Sequence, residues 1–340
     1  MRAALLAALL FGASAPLAKL LLGEVSPWLL AGLLYTGAGA GLWVWRLVRR
    51  AAPVRLARPE LPWLVGAVAT GGIAGPVLLM AGLASMPASG ASLLLNAEGV
   101  LTAVIAWVVF REPAGRRVVL GMLAIVAGAV VISVPNAQAQ VTSVWPALAI
   151  LGACACWALD NNLTRKVALT DATWLAAVKG AVAGPTNLVV ALALGARLPG
   201  AATTAAALVL GLLAYGVSLV LFIVALRHVG TARAGAYFSI APFFGAVLAV
   251  ALGEPVTYQL VVAGALMAFG AWLHLSERHG HQHTHEAVTH DHQHGHDDGH
   301  HDHSHPEAVP AGVSHRHLHT HEAVTHTHEH YPDAHHDHSH

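Results

Sequence analysis

The chain has 340 residues, 56% of them apolar and only 11% charged, with Lys+Arg and Asp+Glu balanced at 18 each. The balance hides a split: up to Leu275 there are 16 Lys+Arg against 7 Asp+Glu, whereas from Ser276 there are 2 against 11, with 23 of the 25 histidines. The first part supplies one apolar run after another, each near the roughly 20 residues that cross a bilayer as a helix, and this excludes a soluble globular fold.

Ten membrane helices are expected, over residues 3–22, 27–48, 61–84, 87–110, 116–134, 144–163, 171–194, 203–226, 231–252 and 256–275. The first starts at Met1-Arg2 and runs into Ala13-Ser14-Ala15, which imitates a secretory signal with its cleavage site. Pro16 would follow the cut directly. The segment also has an internal counterpart, because Phe11, Lys19 and Trp28 align with Trp157, Arg165 and Trp174 at a constant spacing of 146. A repeated segment belongs to the fold. Connections are short and carry Pro or Gly, as at Ser26-Pro27, Met86-Pro87, Pro113 and Gly253 to Pro255, leaving no room for a soluble domain between helices.

The fourth and ninth helices carry the clearest repeat. Gly90 to Pro113 aligns without a gap on Ala232 to Pro255, 142 residues later, so that Val108 meets Val250 and Glu112-Pro113 meets Glu254-Pro255. Two five-helix halves follow, over residues 1–134 and 144–275. Five is odd, so the second half enters the membrane from the opposite side. Inverted repeats of this kind place a substrate site near the midplane and permit alternating access.

Basic residues set the orientation. With the N-terminus inside, the cytoplasmic segments hold Arg2, Arg46, Arg49, Arg50, Arg55, Arg58, Arg111, Arg116, Arg117, Arg165, Lys166, Arg227, Arg233, Arg278 and Arg316, and the opposite loops hold Arg197. Both termini are therefore expected in the cytoplasm. Glycines at helical spacing, such as Gly37, Gly39 and Gly41, or Gly121 and Gly128, read as close helix packing. Cys154 and Cys156 point to different faces of one helix and read as packing residues.

FGASAPLAK in the first helix, Pro87-Ala88-Ser89 after the third, and a Glu-Pro closing helices four and nine resemble the EamA-type branch of the drug/metabolite transporter superfamily. The resemblance covers residues 1–275. It implies an all-α integral membrane fold and secondary transport of small organic solutes, commonly export of amino acids or other metabolites across the inner membrane.

Ionisable residues inside a membrane are costly and mark cavities or partners. Glu98, beside Asn96 and Gly99, is the foremost candidate: a carboxylate there can bind a proton or a cationic substrate group. Its equivalent in the second half is Ile240, so an acidic role is asymmetric. Lys19 sits near one end of helix one, where it can snorkel or face the cavity. Lys179 can neutralise Glu98 or attract a substrate carboxylate. Asp160 reads as a cap near the interface, Asn161 as a cavity residue. Trp107, Trp157, Tyr215, Tyr237 and Phe238 are aromatic candidates, and Tyr237 is carried forward as a site residue.

The tail, residues 276–340, alternates His with polar residues and repeats HTHEAVTH at 283–290 and 319–326; with almost no apolar material it is expected to be disordered. Its imidazoles suit Zn, Ni, Co or Cu ions. The candidate ligands are His281, His283, His285, His290, His292, His294, His296, His301, His303, His305, His315, His317, His319, His321, His326, His328, His330, His336, His338 and His340.

The expected protein is thus a ten-helix, multi-pass inner-membrane carrier of a small organic metabolite, exporting by alternating access, with a metal-binding regulatory tail. The alternative is a transition-metal transporter that uses the tail as donor or acceptor. No nucleophile–base pair or cofactor loop marks an enzyme, and no cofactor is required. The expected partners are the lipid bilayer, a small-molecule substrate and divalent metals at the tail, not nucleic acid; a homodimer is admitted.

Overall fold

The computed structural model describes residues 2–54, 56–110, 115–135, 143–164, 171–229, 237–276, 280–285, 289–294, 315–320 and 324–329. The chain divides into two compact units, a helical body within Met1–Glu277 and the tail segment Arg278–Pro332.

Eight helices among the described residues are long and apolar enough to cross a membrane: α1 (Arg2–Leu21), α2 (Pro27–Val48), α3 (Arg58–Ala84), α4 (Ala88–Val109), α5 (Arg116–Ser133), α7 (Ala172–Ala193), α8 (Ala201–Ala225) and α10 (Tyr258–Leu275). Two further helices fall short of the ten spans expected. α6 (Trp145–Thr164) has the length, but Asp160, Asn161 and Asn162 dilute its apolar run. α9 (Ala241–Ala251) is shorter than a span.

Several helices are interrupted, and proline supplies the reason. A proline has no N–H for the carbonyl four residues back and its ring crowds that carbonyl. Pro16 accounts for the turn at Ala13 inside α1, and Pro242 for the turn at Ser239-Ile240 that opens α9. In α3 the stretch Val68–Ala74 is a π-helix ending just before Pro76, and α8 has a π-helix at Leu212–Val217. The fourth helix, expected to be continuous over 87–110, turns at Leu95-Asn96. There the Asn96 side-chain amide donates to Leu93 O at 2.9 Å, competing with the helix for its own carbonyl.

Packing follows the small residues. α2 lies along α7, where a Cβ on Gly39 would come within 2.5 Å of the Gly180 backbone. α5 lies along α10 through Gly121 and Gly270. α4 meets α9, α3 meets α6, and α1 meets α8. At one end, the buried Arg46 of α2 holds Asp171 at 2.5 Å, and Asp171 also caps α7 by accepting from Thr173 N and Trp174 N. Burial alone would raise the Asp171 carboxyl, but its hydrogen bond to Arg46 and those two amides hold it below the ordinary carboxylate value. The core comprises Leu29, Leu30, Leu34, Leu79, Leu83, Leu94 and Ile150 among others, all fully buried. Val44, Leu47, Val108, Leu123, Val247 and Trp272 are exposed on the body, as lipid-facing residues are.

The tail carries short extended elements among its described residues. Its period-two alternation suits extended chain, and four strands form two antiparallel ribbons: β1 (Gly280–His285) with β4 (Val324–Glu329), and β2 (Thr289–His294) with β3 (His315–Thr320). His296, His301, His303, His305, His321, His330, His336, His338 and His340 lie outside the described residues, as do Glu112, Pro113 and Arg165.

Candidate functional site

The break at Leu95-Asn96 restarts α4 at Ala97 and puts Glu98 in the first turn of the new helix, where a carboxylate is favoured by the helix dipole. Its Oε1 accepts from Asn161 Nδ2 at 2.9 Å, and the same amide lies 3.5 Å from Thr102 Oγ1. Glu98 is half-buried; Gly99 beside it is exposed, with nothing within 4 Å of where a Cβ would stand. Asn96 is occupied by Leu93 O and the Met267 sulfur, so it shapes the break.

Beside Asn161 on α6, Asp160 is paired with Lys179 of α7, which also donates to Thr164 Oγ1 at 3.1 Å. Lys179 thus neutralises Asp160, not Glu98. Asp160, read from sequence as an interface cap, is 8% exposed and packs against Gly71 so closely that no side chain fits there. Both carboxylates lie within electrostatic reach of the buried Tyr35.

The π-helix of α3 supplies the backbone of this region. Gly71 O, released from the regular ladder, accepts from Tyr35 OH at 2.9 Å and Trp157 Nε1 at 3.0 Å. Gly72 O is the carbonyl that Pro76 cannot serve; Asn187 Nδ2 reaches it at 3.3 Å, from a fully buried side chain. From Tyr35 a file of aromatic rings continues: Tyr215 at 5.7 Å, Phe11 at 5.9 Å from Tyr215, Phe238 at 5.2 Å from Phe11, and Phe222 at 4.8 Å from Phe238.

The structure thus brings together Glu98 and Asn161, with Lys179, Trp157 and Tyr215 nearby, and separates them from other candidates. Lys19 lies at the end of α3, donating to Leu83 O at 2.6 Å and Ala84 O at 3.1 Å. Tyr237 packs with Ala4, Ala225 and Phe222 rather than at the carboxylates. Trp107 is 47% exposed on the body's surface. Sequence reasoning missed Tyr35 and the carbonyls of Gly71 and Gly72. The signal was present in Gly71-Gly72 followed by Pro76, a spacing that frees a carbonyl inside an apolar helix.

The arrangement can hold a cationic group at Glu98 and stack an apolar body on the aromatic file. Among the described residues, no three His, Cys, Asp or Glu side chains converge as metal ligands.

The sequence profile of the EamA-like transporter family matches residues 2–134 and again residues 144–276. The chain belongs to the EamA-like transporter family. An uncharacterized transporter of Methanothermobacter thermautotrophicus (strain Delta H) is 27% identical over 286 residues, which span 78% of this chain and 83% of that relative. A solved crystal structure shares the fold with a TM-score of 0.60 at 21% identity, covering 81% of this chain and 96% of its own. As a family member, this EamA-like protein is a multi-pass membrane transporter that works in a lipid bilayer on a small-molecule substrate.

Proposed function

We propose that this EamA-like protein is a secondary carrier that exports a small organic metabolite, amino-acid-like or related, across the inner membrane, with both termini in the cytoplasm. The observation that carries the reading is Glu98 at a helix break inside α4, half-buried and held by the neutral amide of Asn161. A carboxylate so placed binds an ammonium group or a proton, and the aromatic file from Tyr35 to Phe222 offers the apolar surface beside it.

Alternating access between two inverted halves finds support in paired features. A π-helix interrupts both α3 and α8, and the turn at Leu95-Asn96 in α4 lies two residues from the position that aligns with the turn at Ser239-Ile240 before α9. Helices that correspond in the repeat pack on each other, as α2 does on α7 and α5 on α10. Widened or broken helices of this sort let one half tilt against the other without breaking a full ladder of hydrogen bonds.

The tail is read as a metal-binding regulatory element. In β1–β4, His281↔His328 and His283↔His326 are cross-strand partners. In β2–β3 the partners are His290↔His319, His292↔His317 and His294↔His315. Imidazoles in this number suit Zn, Ni, Co or Cu ions.

The same histidines also serve the alternative reading, in which the metal is cargo. Flux of labelled Ni²⁺, Co²⁺ and Zn²⁺ into proteoliposomes separates the two, with the full chain compared to one ending at Leu275. The carrier reading expects no saturable metal flux from either, with metal still bound by the full chain. Saturable flux from both would overturn it.

A further inference from the structure

Lys19 and Glu254, which the site at Glu98 does not use, hold the two ends of a single turn. α3 finishes at Ala84 and α4 begins at Ala88, joined by Ser85-Met86-Pro87. The last carbonyls of a helix and the first amides of the next lack intrahelical partners. Lys19 Nζ takes the carbonyls, Leu83 O at 2.6 Å and Ala84 O at 3.1 Å. Glu254 takes the amides: Oε1 accepts from Ala88 N at 2.6 Å and Oε2 from Ser89 N at 2.8 Å. Each charge matches the helix end it meets, positive on the carbonyl end and negative on the amide end.

Pro87, in the N-cap position of α4, has no side chain that can accept from those amides, so the cap comes from another helix. The chain delivers it through a defined turn. Gly253 adopts φ 105° and donates to Val250 O, while Glu254 N donates to Ala249 O, the paired bonds of a helix end with a left-handed glycine. Pro255 then stops the helix. Glu254 belongs to the second repeat and the amides to the first, so the contact spans the two halves.

We propose that Lys19 and Glu254 form a releasable latch that closes one end of the passage between the two halves, and that α4 and α9 part there when the latch opens. This inference rests on the carrier reading. Three features distinguish a latch from a static cap. Both side chains are only half-buried, so water can replace their partners. A cavity of about 20 Å³, bounded by Met86, Pro87, Ser89, Pro255 and Thr257, adjoins the contact, and that is room for about one water molecule. Lys19 and Glu254 carry opposite charges on the two ends of the same turn.

The test is the labelling rate of Ser92→Cys with a charged maleimide, in full-length protein in nanodiscs with Cys154→Ala and Cys156→Ala as background. Ser92 lies one turn below the gripped amides, buried against Gly245 at the α4–α9 contact. The nanodisc exposes both faces, so orientation does not enter. Glu254→Gln, and separately Lys19→Gln, are expected to raise the rate about tenfold, the factor that about 1.4 kcal/mol gives. Glu254→Asp, which keeps the charge, is expected to recover part of the closure.

A lower Tm with no change in labelling in either variant would make the contact a static cap and overturn the latch. If Glu254→Gln does not fold, Lys19→Gln alone decides in the same way. Solute counterflow on the same proteins separates the two claims. A chain that carries solute with labelling unmoved sinks the latch alone. A chain that opens on loss of Glu254 yet carries nothing leaves the latch and sinks the carrier reading.

Discussion

Glu98 of α4 and Asn161 of α6 are joined by a hydrogen bond of 2.9 Å from the amide to the carboxylate. A carboxylate held by one neutral amide keeps acceptor capacity for an incoming cation. Replacing Glu98 by Gln keeps the shape and removes the charge. A hydrogen bond to a charged group contributes about 1.5–3 kcal/mol, so Glu98→Gln is expected to lower transport roughly 10- to 100-fold. Initial rates of uptake or counterflow check this, with gel filtration confirming an intact fold.

Asn161→Ala should have a smaller effect of the same sign. It leaves the charge and removes the group that aims it. A loss equal to that of Glu98→Gln would assign the amide, not the carboxylate, to the substrate.

The Lys179–Asp160 pair is partly buried, at 17% and 12% side-chain exposure. Removing one partner strands the other, which costs about 3–5 kcal/mol for a buried pair. Lys179→Met is therefore expected to lower Tm clearly, and adding Asp160→Asn to recover much of the loss. Thermal unfolding of the single and double variants in detergent measures it.

Arg46 and Asp171 give an acid-sensitive fastening at one end of α2 and α7. The folded Asp171 carboxyl lies below its unfolded value. Its contribution is therefore complete above the unfolded value of about pH 3.9. It is lost as pH falls from there through the folded value. Asp171→Asn should flatten the acid limb of a Tm-against-pH curve below about pH 4 and lower Tm in the neutral region, where the pairing with the buried Arg46 is lost while an amide still caps the helix.

Two glycine substitutions should differ in outcome. Gly180→Ala drives a methyl into the Gly39 backbone, which cannot yield as a side chain would; about 1–3 kcal/mol of destabilisation is expected. Gly99→Ala meets open space and sits in a helix, so stability should hold or rise by up to about 1 kcal/mol. Parallel Tm measurements compare them.

Much of the body was legible because hydropathy and proline report local physics. The apolar runs marked the spans, and the gapless match of Gly90–Pro113 with Ala232–Pro255 pointed to the duplication that the family profile meets at 2–134 and 144–276. Glu98 stood out as a lone carboxylate in an apolar run. What the sequence hid was pairing in space. Nothing in the order of residues says that Lys179 reaches Asp160 rather than Glu98, since both carboxylates lie on other helices. The break at Asn96 was also hidden, because a single asparagine turns a helix only where its amide finds a carbonyl to take.

The most direct test of the central claim is counterflow of a panel of labelled amino acids and small amines in proteoliposomes, with the full chain and with Glu98→Gln. The expected result is saturable exchange of at least one organic solute by the full chain and its loss in Glu98→Gln. Exchange that is unchanged in Glu98→Gln, or saturable Ni²⁺, Co²⁺ or Zn²⁺ flux with no organic solute carried, would contradict the account.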